Sequence, residues 1–308
     1  MNTVRSGRSA AIDGILLLDK PAGITSNGAL QRVKRLLRAK KAGHTGSLDP
    51  AATGMLPLCF GEATKVSAFL LDADKTYRVS ARLGRATDTG DAEGQEIATG
   101  PVPALDAAEW QSILDGFLGE SRQVPPMYSA LKKDGKRLYE LARKGETVER
   151  EARPITVHAI DLLEAAGTRL VFRVRCSKGT YVRTLVEDIA VRAGTVAYTR
   201  NLHRECVGDF DPRGVLDMEA VTALAAEGSD VLAGHLLPPD EGLQGFPAVA
   251  LDADAAGRVR HGMAVRVADT SATGLVRLYG PGGPADFIGI GEQSEAGEVR
   301  PKRIFGGG

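Results

Sequence analysis

Cysteines and long apolar segments are scarce in this chain of 308 residues, and each scarcity excludes a class of protein. The three cysteines lie far apart without a C-x-x-C pair, so we predict neither a disulfide framework nor a zinc site. A reducing cytoplasm is the environment this composition favours. No apolar run approaches the ~20 residues that cross a bilayer, and no signal-peptide core follows the first ten residues. We therefore expect no membrane association.

An excess of charge of either sign is also absent, because 39 basic and 39 acidic residues cancel. Strong nucleic-acid binders are often basic overall, yet the distribution here is uneven. One acid-free run contains Arg32, Lys34, Arg35, Arg38, Lys40 and Lys41. A second group, diluted by Asp134 and Glu140, contains Lys132, Lys133, Lys136, Arg137, Arg143 and Lys144. Such runs are usually solvated helix faces, but the first leads into an unusual turn, and we interpret it as a phosphate-binding surface.

That turn, residues 43–54, has the sequence Gly-His-Thr-Gly-Ser-Leu-Asp-Pro-Ala-Ala-Thr-Gly. Asp49 precedes proline, which disfavours helical backbone and holds the aspartate extended. The glycines permit an unusual backbone path and close approach of a substrate. An isolated Asp-Pro is commonly only a turn, but a fixed carboxylate beside a basic surface indicates chemistry on a nucleic acid.

Apolar periodicity predicts an α+β architecture on a largely antiparallel mixed sheet with flanking helices. Strands are expected at residues 12–18, 77–83, 155–163 and 170–176. Helices are expected after Thr25 or Ser26, from Asp106 to a stop at Gly119, and after residue 180 to Gly194. Beyond residues 234–245, short strands at 264–267, 275–279 and 287–290 predict a small β-barrel.

Four segments decide the functional interpretation: residues 18–26 (LDKPAGITS), the 43–54 turn, residues 82–91 and residues 176–183 (CSKGTYVR). In this order and spacing the chain closely resembles the TruB-type tRNA pseudouridine synthases over about residues 12–210. The C-terminal part resembles the PUA RNA-binding domain often appended to that family. The resemblance implies a flexible N-terminus (1–11), a catalytic domain (12–245) with an RNA-closing insertion (about 123–152), and a PUA-like domain (246–305).

The activity that the resemblance implies is isomerisation of uridine 55 in the T arm of tRNA. The reaction breaks the C1′–N1 bond, turns the base and rejoins it through C5, so no cofactor and no metal are expected. It needs an ionised carboxylate, which by resemblance is Asp49. Arg183 matches the family's arginine, expected to lower the pKa of that carboxylate. Tyr77 matches the tyrosine beneath the flipped uracil, whose hydroxyl is a candidate for moving a proton.

Further substrate-binding positions follow from the same resemblance. His44 matches a histidine that fills the space left in the RNA by displaced nucleotides, and Tyr181 and Leu202 match residues that line the pocket. Lys20, Asp91 and Lys178 match positions near it. The chain departs from the family pattern at His203 and Glu205, where a basic residue and threonine are usual.

Two alternatives remain beside a stand-alone tRNA enzyme: a guide-RNA-dependent pseudouridine synthase subunit, and an RNA-folding or RNA-binding factor with secondary catalysis. The insertion and the lack of long terminal extensions favour the stand-alone branch, which needs tRNA but no obligatory protein partner. Nothing in the sequence demands more than a monomer. A metal-dependent hydrolase is disfavoured, because the five histidines show no ligand spacing.

Overall fold

The computed structural model describes residues 12–129, 131–133, 135–142 and 144–306. The predicted flexible residues 1–11 lie outside these ranges. Arg143 of the second basic group and Asp134, which dilutes that group, also lie outside them.

The secondary structure alternates hairpins and helices along the chain. The strands are β1 (Gly14–Lys20), β2 (Ala42–His44), β3 (Thr53–Phe60), β4 (Lys75–Leu83), β5 (Arg85–Thr87), β6 (Glu96–Thr99), β7 (Gly119–Gln123), β8 (Lys132–Lys133), β9 (Lys136–Arg137), β10 (Arg153–Ala166), β11 (Arg169–Cys176), β12 (Ala197–Val207), β13 (Leu216–Asp217), β14 (Ala248–Ala250), β15 (Val265–Arg266), β16 (Gly274–Tyr279), β17 (Phe287–Gln293) and β18 (Glu298–Ile304). The helices are α1 (Ser26–Leu36), α2 (Ser67–Asp72), α3 (Ala107–Asp115), α4 (Leu138–Ala142), α5 (Val182–Arg192), α6 (Met218–Glu227), α7 (Ser229–Ala233) and α8 (Ala253–Arg260). No helix within the described ranges is long and apolar enough to cross a membrane.

The main sheet has the strand order β13-β1-β3-β12-β4-β11-β10-β7, with β2 paired to β3. Strand β1 pairs in parallel with β13, and β12 pairs in parallel with β3. The other neighbours in this sheet are antiparallel. The predicted α+β architecture on a largely antiparallel mixed sheet is therefore confirmed.

Buried strands in this sheet carry the apolar patterns that predicted them. Strand β4 alternates, so Tyr77 and Val79 are buried while Arg78 is exposed. The continuous apolar run of β1 serves two cores, because Leu16 faces helices α1 and α6 while Ile15 packs on the opposite side. A strand covered on both faces needs no polar positions, which explains the unbroken run.

Two helix starts were predicted correctly, and one helix end was wrong. The hydroxyl of Thr25 accepts from Gly28 N and caps α1, and Asp106 with Glu109 forms a capping box on α3. Helix α3 ends at Asp115, with Gly116 as its cap, rather than at Gly119. Gly119 instead begins β7, where it pairs with Val157 of β10.

The C-terminal sheet has the order β14-β16-β17-β18-β15, with α8 packed beside it. Within the described residues the edge strands β14 and β15 do not pair with each other, so the sheet is open like half a barrel. The closed β-barrel expected from the sequence is not seen. Strand β18 was not anticipated, since its Arg-Pro-Lys-Arg centre lacks the apolar residues typical of a strand.

This second sheet shares an apolar core with the main sheet. Ile290 on β17 is fully buried in the cluster that contains Ile15 and Leu70. Polar contacts add to it: Lys65 Nζ donates to Ile304 O at 2.9 Å, and the Tyr279 hydroxyl donates to Asp240 Oδ2 at 2.6 Å. The C-terminal sheet is thus packed against the main sheet rather than tethered beside it.

We expect Ile290→Ala to lower the free energy of unfolding by about 2–5 kcal/mol, because the truncation opens a cavity in the shared core. Chemical denaturation measures the change. Ile97 is 65% exposed, so Ile97→Ala is the matched control and should change stability by less than about 0.5 kcal/mol. If the denaturation curve of Ile290→Ala showed two unfolding transitions and only one of them shifted from wild type, the two sheets would unfold independently.

Candidate active site

Side chains of β1 and α1 fix the 43–54 turn by hydrogen bonds to its backbone. Lys20 is fully buried, and its Nζ donates to Pro50 O at 3.2 Å and to Ile24 O at 2.9 Å. Ser26 Oγ accepts from Leu48 N at 2.8 Å and donates to Leu48 O at 3.1 Å. These bonds bracket Asp49 on both sides, so its backbone position is set before any substrate arrives.

One glycine of the turn is required by its neighbours. Gly54 has φ +106°, and a Cβ there would lie 2.3 Å from Arg204 O. Its amide also donates to Asp19 Oδ1 at 3.1 Å. Only glycine allows β3 to leave the turn this close to β12.

The Asp49 carboxylate is 44% exposed and forms an ion pair with Arg183, whose Nε lies 3.0 Å from Asp49 Oδ2. The Arg183 side chain is only 7% exposed. Its Nη1 donates to Thr89 O and its Nη2 to Tyr128 O, both at 2.7 Å, and Asp91 Oδ2 lies 3.6 Å from Nη1. The guanidinium is therefore fixed by three chain segments that are remote in sequence.

Burial raises the pKa of Asp49 above its ordinary value, and the Arg183 guanidinium opposes that rise. Asp91 adds to the rise, while Lys20 also opposes it. Arg183 therefore lowers this pKa, as expected, but burial is the larger effect and the net shift is upward. The direct ion pair still favours the ionised carboxylate.

A cavity of about 420 Å³ opens beside this ion pair. Predicted residues on its wall are Asp49, Tyr77, Tyr181, Arg183 and Leu202. The Tyr77 ring is buried on β4, and Tyr181 is fixed by Gln123, which accepts from Tyr181 N at 2.8 Å. The structure thus brings together the predicted carboxylate, its cation and two aromatic rings around one space.

The remaining predicted site residues lie around the cavity rather than on its wall. Lys20 lies beneath the turn, and Asp91 lies next to Arg183. Lys178 is 59% exposed and pairs with Asp72 at 2.9 Å. His44 is half-buried on β2, and burial lowers the pKa of its imidazole, with Arg204 contributing.

Outside the four family segments, three polar residues on the cavity wall were missed by sequence reasoning: Lys75, Ser129 and Arg204. Strand alternation could have found two of them, because Lys75 and Arg204 each stand two positions from a predicted pocket residue on the same strand. Burial lowers the pKa of Lys75 to about 8. Ser129 carried no periodic signal, since it follows a proline-rich segment outside any strand or helix.

A larger cavity, about 650 Å³, has Asp19, Glu205 and Asp217 on its wall. Each of these carboxylates already has a structural partner: Gly54 N, Arg173 and Ala220 N, respectively. That cavity also has no tyrosine, phenylalanine or tryptophan side chain on its wall. The smaller cavity at Asp49 is therefore the better candidate for chemistry.

Basic side chains lie on α1 and on the segment that leads from it into the 43–54 turn. Arg32, Arg35, Arg38, Lys40 and Lys41 are exposed, as the apolar periodicity of the helix predicted. Of the second basic group, Lys136 and Lys144 are exposed. A nucleic acid could therefore meet positive charge on the segment that leads into the turn.

Comparison with solved structures identifies the fold class. A chain in the crystal structure of a Cbf5-Nop10-Gar1 complex matches 96% of this chain and 86% of its own length, with TM-score 0.74 and 24% identity. A chain in the structure of an H/ACA RNP bound to a substrate RNA containing 2′-deoxyuridine matches with TM-score 0.73 and 22% identity. The architecture is the α+β fold of pseudouridine synthases.

Sequence comparison gives the family within that class. Residues 34–182 match the model of the TruB family pseudouridylate synthase N-terminal domain, and residues 247–305 match that of the pseudouridine synthase II TruB C-terminal domain. The tRNA pseudouridine synthase B of Pseudomonas putida strain F1 is 51% identical over 96% of both chains. That of Nitrosococcus oceani is 49% identical over 99% of this chain and 98% of its own. This chain belongs to the TruB family of pseudouridine synthases.

We expect Arg183→Met to raise the pKa of Asp49 further, because burial then acts without the opposing guanidinium. An NMR pH titration of the aspartate carboxyl carbons measures the shift, with Asp49→Asn assigning the resonance. Arg300 is an exposed arginine of the C-terminal sheet, so Arg300→Met should leave Asp49 unchanged. An Asp49 pKa that stays constant or falls in Arg183→Met would contradict the proposed balance of burial and charge.

Proposed function

We propose that this protein isomerises uridine to pseudouridine at position 55 in the T arm of tRNA. The observation that carries the proposal is the Asp49–Arg183 ion pair beside a cavity with Tyr77 on its wall. The proposal is supported by relatives about half identical to this chain that are named tRNA pseudouridine synthase B.

Asp49 is the proposed catalytic carboxylate. Attack on C1′ and a glycal-type elimination both require an ionised acid that faces the ribose, and the ion pair with Arg183 supports that form. The partial exposure of the carboxylate, 44%, leaves one side open toward the cavity. A volume of about 420 Å³ lies within the ~300–1,000 Å³ range of small-ligand sites.

The target uridine must leave the folded T loop before it reaches Asp49, which costs a few kcal/mol. Stacking on an aromatic ring offsets roughly 1–3 kcal/mol of that cost. Tyr77 is the proposed stacking ring, with Tyr181 and Leu202 completing the wall. His44 is proposed to occupy the space in the RNA that the displaced nucleotides vacate.

Contacts beyond the flipped base would come from three further regions. The basic segment at residues 32–41 is proposed to follow the phosphate backbone. Residues 123–152 are proposed to close over the T loop, and Tyr128 O joins their base to Arg183. Residues 246–305 are proposed to form a PUA-like RNA-binding module, and residues 12–245 the catalytic domain.

We further propose that the enzyme acts as a monomer without an obligatory protein partner, in the cytoplasm where tRNA is processed. The stand-alone branch is favoured over the guide-RNA-dependent one by relatives that carry the tRNA enzyme's name over nearly their whole length. Turnover by the purified protein alone distinguishes the two branches.

Asp49→Asn should lower the rate of isomerisation by more than about 10³-fold, because the amide cannot supply the anion. Tritium release from tRNA labelled at uracil C5, with purified protein alone, measures the rate. The affinity for tRNA should stay within about threefold of wild type, or 0.65 kcal/mol. Asp254 is exposed on α8, so Asp254→Asn should keep the wild-type rate. Equal losses of affinity and rate in Asp49→Asn would assign the aspartate a structural role instead.

Removing two exposed cations from β18 should reduce the salt dependence of tRNA binding. We expect the combined Lys302→Gln and Arg303→Gln variant to lower the slope of log K against log salt by about 2, with the chemical step unchanged. Binding measured over a salt series tests this. Arg85→Gln with Arg169→Gln removes the same charge from the main body and is the control. Equal slopes for both variants would exclude a specific RNA contact at β18.

A further inference from the structure

Arg204 is a cation in the interior of the main sheet that the proposed mechanism leaves without a role. It is 1% exposed and lies on β12, directly opposite Tyr77 in the β12–β4 register. Its Nε donates to Met55 O at 2.7 Å, and its Nη2 donates to Gly46 O at 3.1 Å. Within the described part of the chain, no carboxylate forms an ion pair with it.

A buried cation without a counter-ion is costly, and a neutral donor could satisfy either backbone carbonyl. The position of the guanidinium indicates what the charge does. Arg204 lies on the wall of the cavity that holds Asp49 and Tyr77. Tyr77 lies on the same cavity wall and directly opposite Arg204 on the neighbouring strand, so the guanidinium is close enough to the Tyr77 hydroxyl to lower its pKa.

This proximity sets which side of the Tyr77 hydroxyl faces the positive charge. A phenolic oxygen that accepts from a guanidinium directs its own proton elsewhere. Charge-assisted hydrogen bonds of this kind are stronger than neutral ones. Burial raises the pKa of Tyr77, and Arg204 is the leading opposing influence.

We propose that Arg204 is a positioning residue for the reaction, which holds the acceptor side of the Tyr77 hydroxyl so that its proton points into the cavity toward the bound nucleoside. The guanidinium also stabilises the partial negative charge that the oxygen gains when it donates. This inference rests on the proposed function, and it concerns a residue that acts through Tyr77 rather than on the substrate.

A double-mutant cycle tests the inference with the full-length protein. The variants are Arg204→Met, Tyr77→Phe and the combination, compared by single-turnover tritium release at saturating tRNA. Each single change should slow the reaction by about 10²-fold or more. The combination should be no more than about threefold slower than Tyr77→Phe, because the hydroxyl that Arg204 positions is already gone. A combined loss equal to the product of the single losses would overturn the inference.

Because Arg204 also holds the 43–54 turn through Gly46 O, a purely structural role must be separated from the proposed one. A structural role predicts the same loss with or without the Tyr77 hydroxyl, whereas positioning predicts a loss only when it is present. Arg204→Lys keeps a donor and a charge, so it should recover part of the rate. Where Arg204→Met does not fold, Arg204→Lys replaces it in the same cycle.

Alkaline ultraviolet titration supplies a readout that needs no substrate. Tyr77 is identified as the tyrosinate signal missing from Tyr77→Phe, and its pKa should rise when Arg204 is replaced. An unchanged Tyr77 pKa would contradict the proximity of the two groups. Wild-type protein that releases no tritium would reject the proposed function itself, whereas active wild type with an additive cycle would reject only the role of Arg204.

Discussion

The ion pair between Asp49 and Arg183 is the interaction on which the rest of the site depends. Arg183 simultaneously binds Asp49 of the 43–54 turn, Thr89 O after β5, and Tyr128 O at the base of the insertion. A guanidinium can serve these directions together because its donors form a rigid planar fork. Moving any one of these segments therefore changes the geometry around the carboxylate.

Partial burial of this pair has a cost, because Arg183 is buried while Asp49 stays partly exposed, and the surroundings limit that cost. Removing two charges from water is unfavourable unless their hydrogen bonds are completed, as they are for Arg183. The pKa of Asp49 stays above its ordinary value because the Arg183 charge offsets only part of that cost. Lys20 and Ser26 prevent the turn from relaxing toward solvent, so the carboxylate stays at the cavity.

Local patterns predicted the elements well and their long-range consequences poorly. The alternation around Tyr77 and the caps at Thr25 and Asp106 are set within a few residues, and all were confirmed. The end of α3 was wrong, because Gly119 is taken up by pairing with Val157 of the distant strand β10. The closed C-terminal barrel was not seen, since closure depends on edge strands meeting in space.

By itself the sequence determined the family segments, the glycine- and proline-containing turn around Asp49 and the apolar faces of the strands, because each depends on neighbouring residues. Only the tertiary structure decided that residues 49, 77 and 183 meet at one cavity and that Arg204 stands opposite Tyr77. It also decided the direction of the Asp49 pKa shift. Burial and distance arise from the packing of remote segments, and no local pattern encodes them.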